Sequence, residues 1–443
     1  MRHRKSLAFV CVCVVLLAVA GASFGFATRG AHAGSRPGNL TIGSGDIGSP
    51  VCYQWAAYGG PNQGAGNNTL NAVATVPNSV QVWAVGEYYN TTAGYWQTLI
   101  ERFDGTRWSI VSSPYVPSSD NYLTGITIVS ASDIWVVGYA IEAGTSDYQT
   151  LIERWNGTSW SIVASPSVPQ TSNFLYGVAA VSANDVWAVG AYFDNATMRY
   201  HTLTQRWSGS AWSIVSSPNG NMPGPKSGLP GNNWLVGVAA VSANDIWAVG
   251  WDTSITLAEH WNGSSWNIIP TPNGSAGGGF LQSVAALSST NVMAVGFTYA
   301  GSNVPLAERW NGSTWSIVLT PNPTTTNNNV LNTISAVPGT QTYIAAGQAT
   351  AQGGIATRGG TRSGSRSGPY SSTTTSKTLM ESWNGAAWKL LSTPNLSSSA
   401  NSVNGISAAS ATNIWAVGAY QVTTSASTLI MRSIPNGMGI ACM

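Results

Sequence analysis

A chain of 443 residues in which only 8% are Asp, Glu, Lys or Arg, with a formal net charge of +2, offers no electrostatic basis for binding nucleic acid or an acidic membrane surface. Apolar residues make up 43% of it and Trp alone fills 20 positions, which excludes a disordered composition. The length exceeds that of one ordinary domain, yet a repeat array this long can form a single body.

The chain opens with Arg2, Arg4 and Lys5, followed by an apolar run at residues 7–20 (LAFVCVCVVLLAVA) and small residues around Ala22 and Ala33. This is the layout of a signal peptide over residues 1–33, cleaved after Ala22 or Ala33, so a secreted, extracellular protein is expected. Apolar character continues to Ala27, and an uncleaved signal anchor that tethers the protein to the membrane is the alternative. No second hydrophobic span follows. Cys11 and Cys13 lie inside the apolar run, whereas Cys52 and Cys442 stand near the two ends of the mature chain. In an exported protein such a pair is expected to form a disulfide. Residues 34–50 are polar and Gly-rich and read as a flexible linker.

Repeats begin after the linker. A WAVG element occurs at residues 83–86, 135–138 (as WVVG), 187–190, 247–250, 293–296 (as MAVG) and 415–418, with a degraded YIAAG at 343–347. Successive copies are about 50 residues apart, a propeller-like period. Each unit holds four strand-length runs, such as residues 177–181, 186–189, 151–155 and 160–163, separated by turn residues. Asn-Gly between the third and fourth runs, as at 156–157, 262–263 and 311–312, predicts hairpins, because both residues tolerate positive φ. Runs such as GVAAV and VWAVG do not alternate apolar with polar, so their strands are buried on both faces. Radially packed sheets meet that requirement. The expected fold is all-β: a seven-bladed β-propeller over residues 51–443, four antiparallel strands per blade, with a disordered Gly/Ser/Thr-rich insertion at 348–377. Gly and Ala of the first strand suit the crowded axis, and Trp fills the wedges between sheets. The last unit lacks an outer strand, which must come from residues 51–57 (with Trp55) or from residues 438–443. A Cys52–Cys442 bridge would lock either arrangement.

A strand ending in Gly, then TLIERWNG, then WSIVxSP resembles the kelch repeat, the central-domain propeller type of galactose oxidase, across residues 50–443. One glycine stands here, as at Gly190, where that family carries two. The resemblance implies a propeller and leaves the chemistry open, since the family includes binding scaffolds and a few oxidases.

Charges that recur in every unit build the repeat. Glu101, Glu153, Glu259, Glu308 and Glu381 share one position, and Arg102, Arg154, Arg206 and Arg309 the next. Asp133, Asp185 and Asp245 recur as well and fit turns in which a carboxylate caps nearby N–H groups. Function is expected where the repeat fails, in variable loops between second and third strands. These carry Glu87, Tyr89, Trp96, Tyr139, Asp147, Tyr192, Asp194, Trp251 and Asp252, an aromatic and carboxylate set suited to a sugar's C–H faces and hydroxyls. No catalytic group, metal site or cofactor is expected. Only His32, His201 and His260 remain for copper ligation after the signal, most arginines repeat, and phosphate-loop, zinc and Ser-His-Asp patterns are missing. FDGTRW at 103–108 resembles the Asp-box turn of sialidases, with different spacing. The chain is expected to be a monomeric, non-enzymatic propeller that binds a glycan or other cell-surface ligand. An extracellular carbohydrate-active hydrolase or lyase is the alternative, and a protein-binding scaffold the third reading.

Overall fold

A computed structural model describes residues 41–43, 53–141, 144–145, 147–220, 231–274, 278–299, 301–323, 328–351 and 375–434. The signal segment, Cys52, Cys442, most of the 34–50 linker and most of the 348–377 insertion lie outside these. Each repeat forms one antiparallel sheet whose strands are neighbours in chain order. Blade 3 is representative, with an inner strand Asn173–Ser182, then Asp185–Asp194, Arg199–Trp207 and an outer strand Trp212–Val215. Six sheets follow this plan in chain order, with strands of blade 1 within 68–110, blade 2 within 121–162, blade 4 within 233–268, blade 5 within 279–318 and blade 6 within 328–390, and a seventh, blade 7, built on strands within 401–434, closes the ring.

The closing sheet takes its outer strand from the N-terminal side. Gln54–Gly59 pairs with Ser425–Ile434, from Gln54↔Ile434 to Gly59↔Leu429, and Trp55 is fully buried beneath it. Thr41–Gly43 adds a fifth strand beyond it, so part of the expected linker is in the sheet. The expected insertion is also shorter, because the ladder of blade 6 runs on through Gln348↔Thr378 to Ala351↔Thr375.

The wedges between blades are filled by indoles, as the repeats predict. Trp135 of blade 2 meets Trp207 and Trp212 of blade 3 at ring-centroid distances of 4.9 and 5.4 Å. The Arg154 guanidinium lies 4.6 Å from the Trp135 centroid in its own blade and 5.7 Å from that of Trp207 in the next. Equivalent clusters form around Trp83, Trp187 and Trp247. These aromatic contacts supply the apolar area and the cation–π attraction that fix one blade on the next.

The Asn-Gly hairpins form as expected, and one turn expectation is corrected. In the Asn156-Gly157 hairpin only Gly157 has positive φ (98°). Trp155 pairs with Trp160 across a four-residue loop, and Asn156 Oδ1 accepts from the backbone N–H groups of Thr158 and Ser159, so its side chain caps the turn. The repeated aspartates do not cap their turns. Asp133 and Asp185 bind Arg154 and Arg206 at 2.8 Å, and Asp245 binds His260 at the same distance, tying the second strand to the third.

The repeated glutamates are fully buried between blades. Glu153 faces Ser113 of the preceding blade and Glu259 faces Ser217, while Glu308 accepts from Thr256 at 3.2 Å. Burial pushes Glu153, Glu259 and Glu381 up to about 8, so these groups mostly keep their protons at neutrality, and pushes Glu308 to about 7, where it is about half protonated. In blade 3 the position is Gln205, whose Nε2 donates to the Pro166 carbonyl at 2.8 Å. A neutral side chain is what this site accepts.

Candidate functional site

The repeated glycine at the end of each WAVG element positions the site. A Cβ on Gly190 would be driven into the Phe174 carbonyl oxygen, and one on Gly86, Gly138 or Gly250 into the corresponding carbonyl of its own inner strand. The close approach accompanies a β-bulge, which recurs in all seven blades: the register slips between Leu175 and Gly177, leaving Tyr176 unpaired. Bulges re-aim side chains. Here they turn one residue per blade toward the axis, giving a ring of Asn71, Thr124, Tyr176, Val236, Gln282, Asn332 and Asn404. The residues that follow, such as Gly125, Gly177 and Gly237, are small because a Cβ there would press on the next blade's inner strand.

The ring encloses an axial cavity of about 220 Å³, walled in addition by Tyr139, Trp234 and Trp251. Its two sides differ. Blades 6, 7, 1 and 2 contribute Asn332, Asn404, Asn71 and Thr124, each anchored to the following blade. Asn332 Nδ2 donates to Val403 O at 2.9 Å, Asn404 Nδ2 to Leu70 O at 3.0 Å, Asn71 Nδ2 to Leu123 O at 2.8 Å, and Thr124 Oγ1 to Leu175 O at 2.8 Å. Blades 2, 3 and 4 contribute the opposite, aromatic wall. There Tyr139, Phe174, Trp234 and Trp251 form one buried cluster with Tyr122, Tyr148, Tyr176 and Tyr200 packed against it. Trp234 stacks on Trp251 at 6.2 Å and 25°, and lies 4.1 Å from Tyr200. Among the described residues, no Asp, Glu, His, Lys or Arg lines the cavity.

One carboxyl stands directly behind it. Glu87 is 1% exposed and accepts from Asn71 Nδ2 at 2.6 Å. Burial pushes it up to about 8, against the lowering effect of the Asn71 bond. The equivalent residues in other blades are Tyr139, Ala191, Trp251, Phe297, Gln348 and Ala419, so this acid occurs once.

The residues expected on variable loops prove to be mostly strand residues. Glu87 and Tyr89 lie in Val82–Asn90, Trp96 in Tyr95–Phe103, Tyr139 in Asp133–Ile141, and Tyr192 and Asp194 in Asp185–Asp194. Trp251 and Asp252 end the strand Asp245–Asp252. Extended pairing carries the second and third strands outward to short hairpins, which is why the loops shrink. Glu87, Tyr139 and Trp251 converge at the cavity. Tyr89 and Trp96 pack edge to face at 5.4 Å, with Trp96 next to Tyr122, and extend the aromatic surface over blade 1. The others stay on the rim. Asp147 accepts from Ser172 at 3.3 Å, and Asp252 is buried against Thr253, Gly220 and Gly231. Asp194 accepts from Thr197 at 2.7 Å, a bond that holds its carboxyl below the usual range, and His201 stacks on Tyr192 at 5.4 Å.

Sequence reasoning missed the ring, together with Tyr122 and Trp234. Each ring residue sits between a repeated Leu or Val and a repeated small residue, and it varies while its neighbours do not.

Known structures share this fold. YCF48 bound to a D1 peptide superposes with a TM-score of 0.51 at 11% identity, over 89% of this chain and 98% of that one. The SapL1 lectin in complex with α-methyl fucoside (TM-score 0.41, 12% identity, 75% of this chain and 98% of that one) and a PL25 ulvan lyase (0.42, 11%, 70% and 93%) are more distant. At these identities the likeness shows the fold alone. No family model matches the chain, and no curated protein does.

Proposed function

We propose that this chain is an exported, non-catalytic propeller that binds carbohydrate at the axial cavity. The observation that carries this is the division of the cavity wall. Aromatic faces from blades 2–4 oppose an arc of amide and hydroxyl oxygens from blades 6, 7, 1 and 2, the pairing that a pyranose presents through its C–H face and its hydroxyls. With no Lys, Arg or His among the described lining residues, a sulfated or uronic sugar would find no counter-charge. A glycosidase of the usual kind needs two carboxyls flanking the bond, whereas among the described residues Glu87 is the carboxyl that stands behind this cavity. The repeat itself we assign to the kelch-like group, with the single WAVG glycine serving the bulge.

A glycan array followed by titration calorimetry on the mature protein tests the proposal. Binding should be lost or reduced about tenfold or more in Tyr176→Ala and Trp251→Ala, with the circular dichroism spectrum retained, since an aromatic contact of this kind contributes on the order of 1–3 kcal/mol. Failure to bind any glycan, or binding indifferent to both substitutions, overturns it. Glycan turnover abolished by Glu87→Gln would favour the hydrolase or lyase reading instead.

A further inference from the structure

The anchoring of the polar arc determines which atoms it offers. The carbonyls of Val403, Leu70 and Leu123 can only accept, so the amide nitrogens of Asn332, Asn404 and Asn71 must face them. Asn71 uses its remaining N–H on Glu87. The Thr124 hydroxyl spends its proton on Leu175 O. What is left for a ligand is a contiguous arc of acceptors, the three Asn Oδ1 atoms and the Thr124 lone pairs. None of these amide oxygens has a protein donor among the described residues. A ligand must therefore bring the hydrogens. Opposite the arc stand the π faces of Tyr139, Tyr176, Trp234 and Trp251, which attract positive charge, and among the described residues no Lys or Arg lines the cavity to oppose a cation.

We propose that the axial cavity takes the protonated amine of an amino sugar, its ammonium seated on the Asn332–Asn404–Asn71–Thr124 acceptor arc with Glu87 behind as counter-charge. This rests on carbohydrate binding at the same site and names the sugar class. An ammonium on Asn71 Oδ1 would lie roughly two hydrogen-bond lengths from the Glu87 carboxyl. In the free protein Glu87 is kept neutral by burial, so a cation at that distance favours its ionisation. Binding should then release a proton from Glu87 to the buffer.

The test is calorimetry on the mature full-length protein at about pH 6.5, where an α-amino-type nitrogen is charged. Glucosamine, galactosamine and mannosamine are each compared with the parent hexose. At least one amine should bind about tenfold or more tightly than its parent, and the observed enthalpy should vary with the ionisation enthalpy of the buffer in the sense of proton release. In Glu87→Gln, which keeps the acceptor for Asn71 and removes the charge, the amine-to-parent affinity ratio should fall to about one and the buffer dependence should vanish. Hexoses that bind as well as their amines would overturn the amine proposal and leave carbohydrate binding standing. Binding by no sugar of either kind, on these or on the array, overturns both. Amine selectivity that survives in Glu87→Gln with unchanged proton release removes Glu87 from the account.

Discussion

The buried glutamates make stability depend on pH in a direction opposite to that of most carboxylates. Glu153 rises from 4.5 to about 8 through burial. The folded protein therefore binds more protons than the unfolded chain between those two values, and stability falls as pH rises through the window. At 1.36 kcal/mol per pH unit, Glu153 alone lowers stability by about 3 kcal/mol at pH 7 and by at most about 5 kcal/mol above pH 8, relative to pH 4. Glu153→Gln removes that titration. The amide also has a precedent, because Gln205 occupies the same position in blade 3 and donates to Pro166 O. The site of Glu153 offers the equivalent Pro114 carbonyl, which already accepts from Thr98. Urea denaturation of wild type and Glu153→Gln at pH 5, 7 and 9 should give curves that are close at pH 5 and diverge with pH, the variant being more stable by up to about 3 kcal/mol at pH 7. A variant whose stability runs parallel to wild type from pH 5 to 9 would show that Glu153 is ionised and solvated in the folded protein, refuting the reasoning for this whole ring of side chains.

Gly190→Ala should lower stability by about 3 kcal/mol in the same assay, because the new methyl meets the Phe174 carbonyl and the bulge must open; a loss under about 1 kcal/mol would mean the bulge is not held by that contact. Trp55→Ala, at a fully buried position of the closing strand, should cost about 3–5 kcal/mol. A cost near zero would show that Gln54–Gly59 merely decorates blade 7. Gln54, two residues after Cys52, pairs with Ile434, eight residues before Cys442, so non-reducing peptide mapping of protein produced in an oxidising compartment should recover Cys52 linked to Cys442. Two freely alkylated thiols at these positions would exclude the bridge.

Much of the architecture could be read directly because the chain states it seven times. Non-alternating runs such as GVAAV require burial on both faces, and the Trp spacing matches the observed triads around Trp83, Trp135 and Trp187. What failed was local. Asn-Gly marked the hairpins, but not the four-residue loop in which Asn156 caps its own backbone. The Asp–Arg pairing was hidden because Asp133 and Arg154 lie 21 residues apart and meet only once the strands are in register. At the site, Glu87, Tyr139 and Trp251 were visible because they break the repeat at one position. Their partners Asn71, Asn332 and Asn404 were not, since an inner-strand bulge shifts which residue faces the axis and periodicity alone does not reveal where it falls. The extended second strands moved the expected loop residues into paired backbone for the same reason: ladder length depends on both partners.

The ring closure has a consequence for how the protein is made. The backbone N–H of Thr428 bonds Asn62, 366 residues earlier in the chain, and the closing strand is the first of the main sheets' strands to be synthesised. Blades 1 to 6 can form in order as they emerge, each resting on the last, but the seventh must wait for the end of the chain to meet its beginning. Until then the buried faces of Leu429, Ile430 and Met431 have no outer partner. A vectorially exported chain would thus hold its Trp55 strand in reserve through the whole of translocation and commit to a closed ring in a single late step.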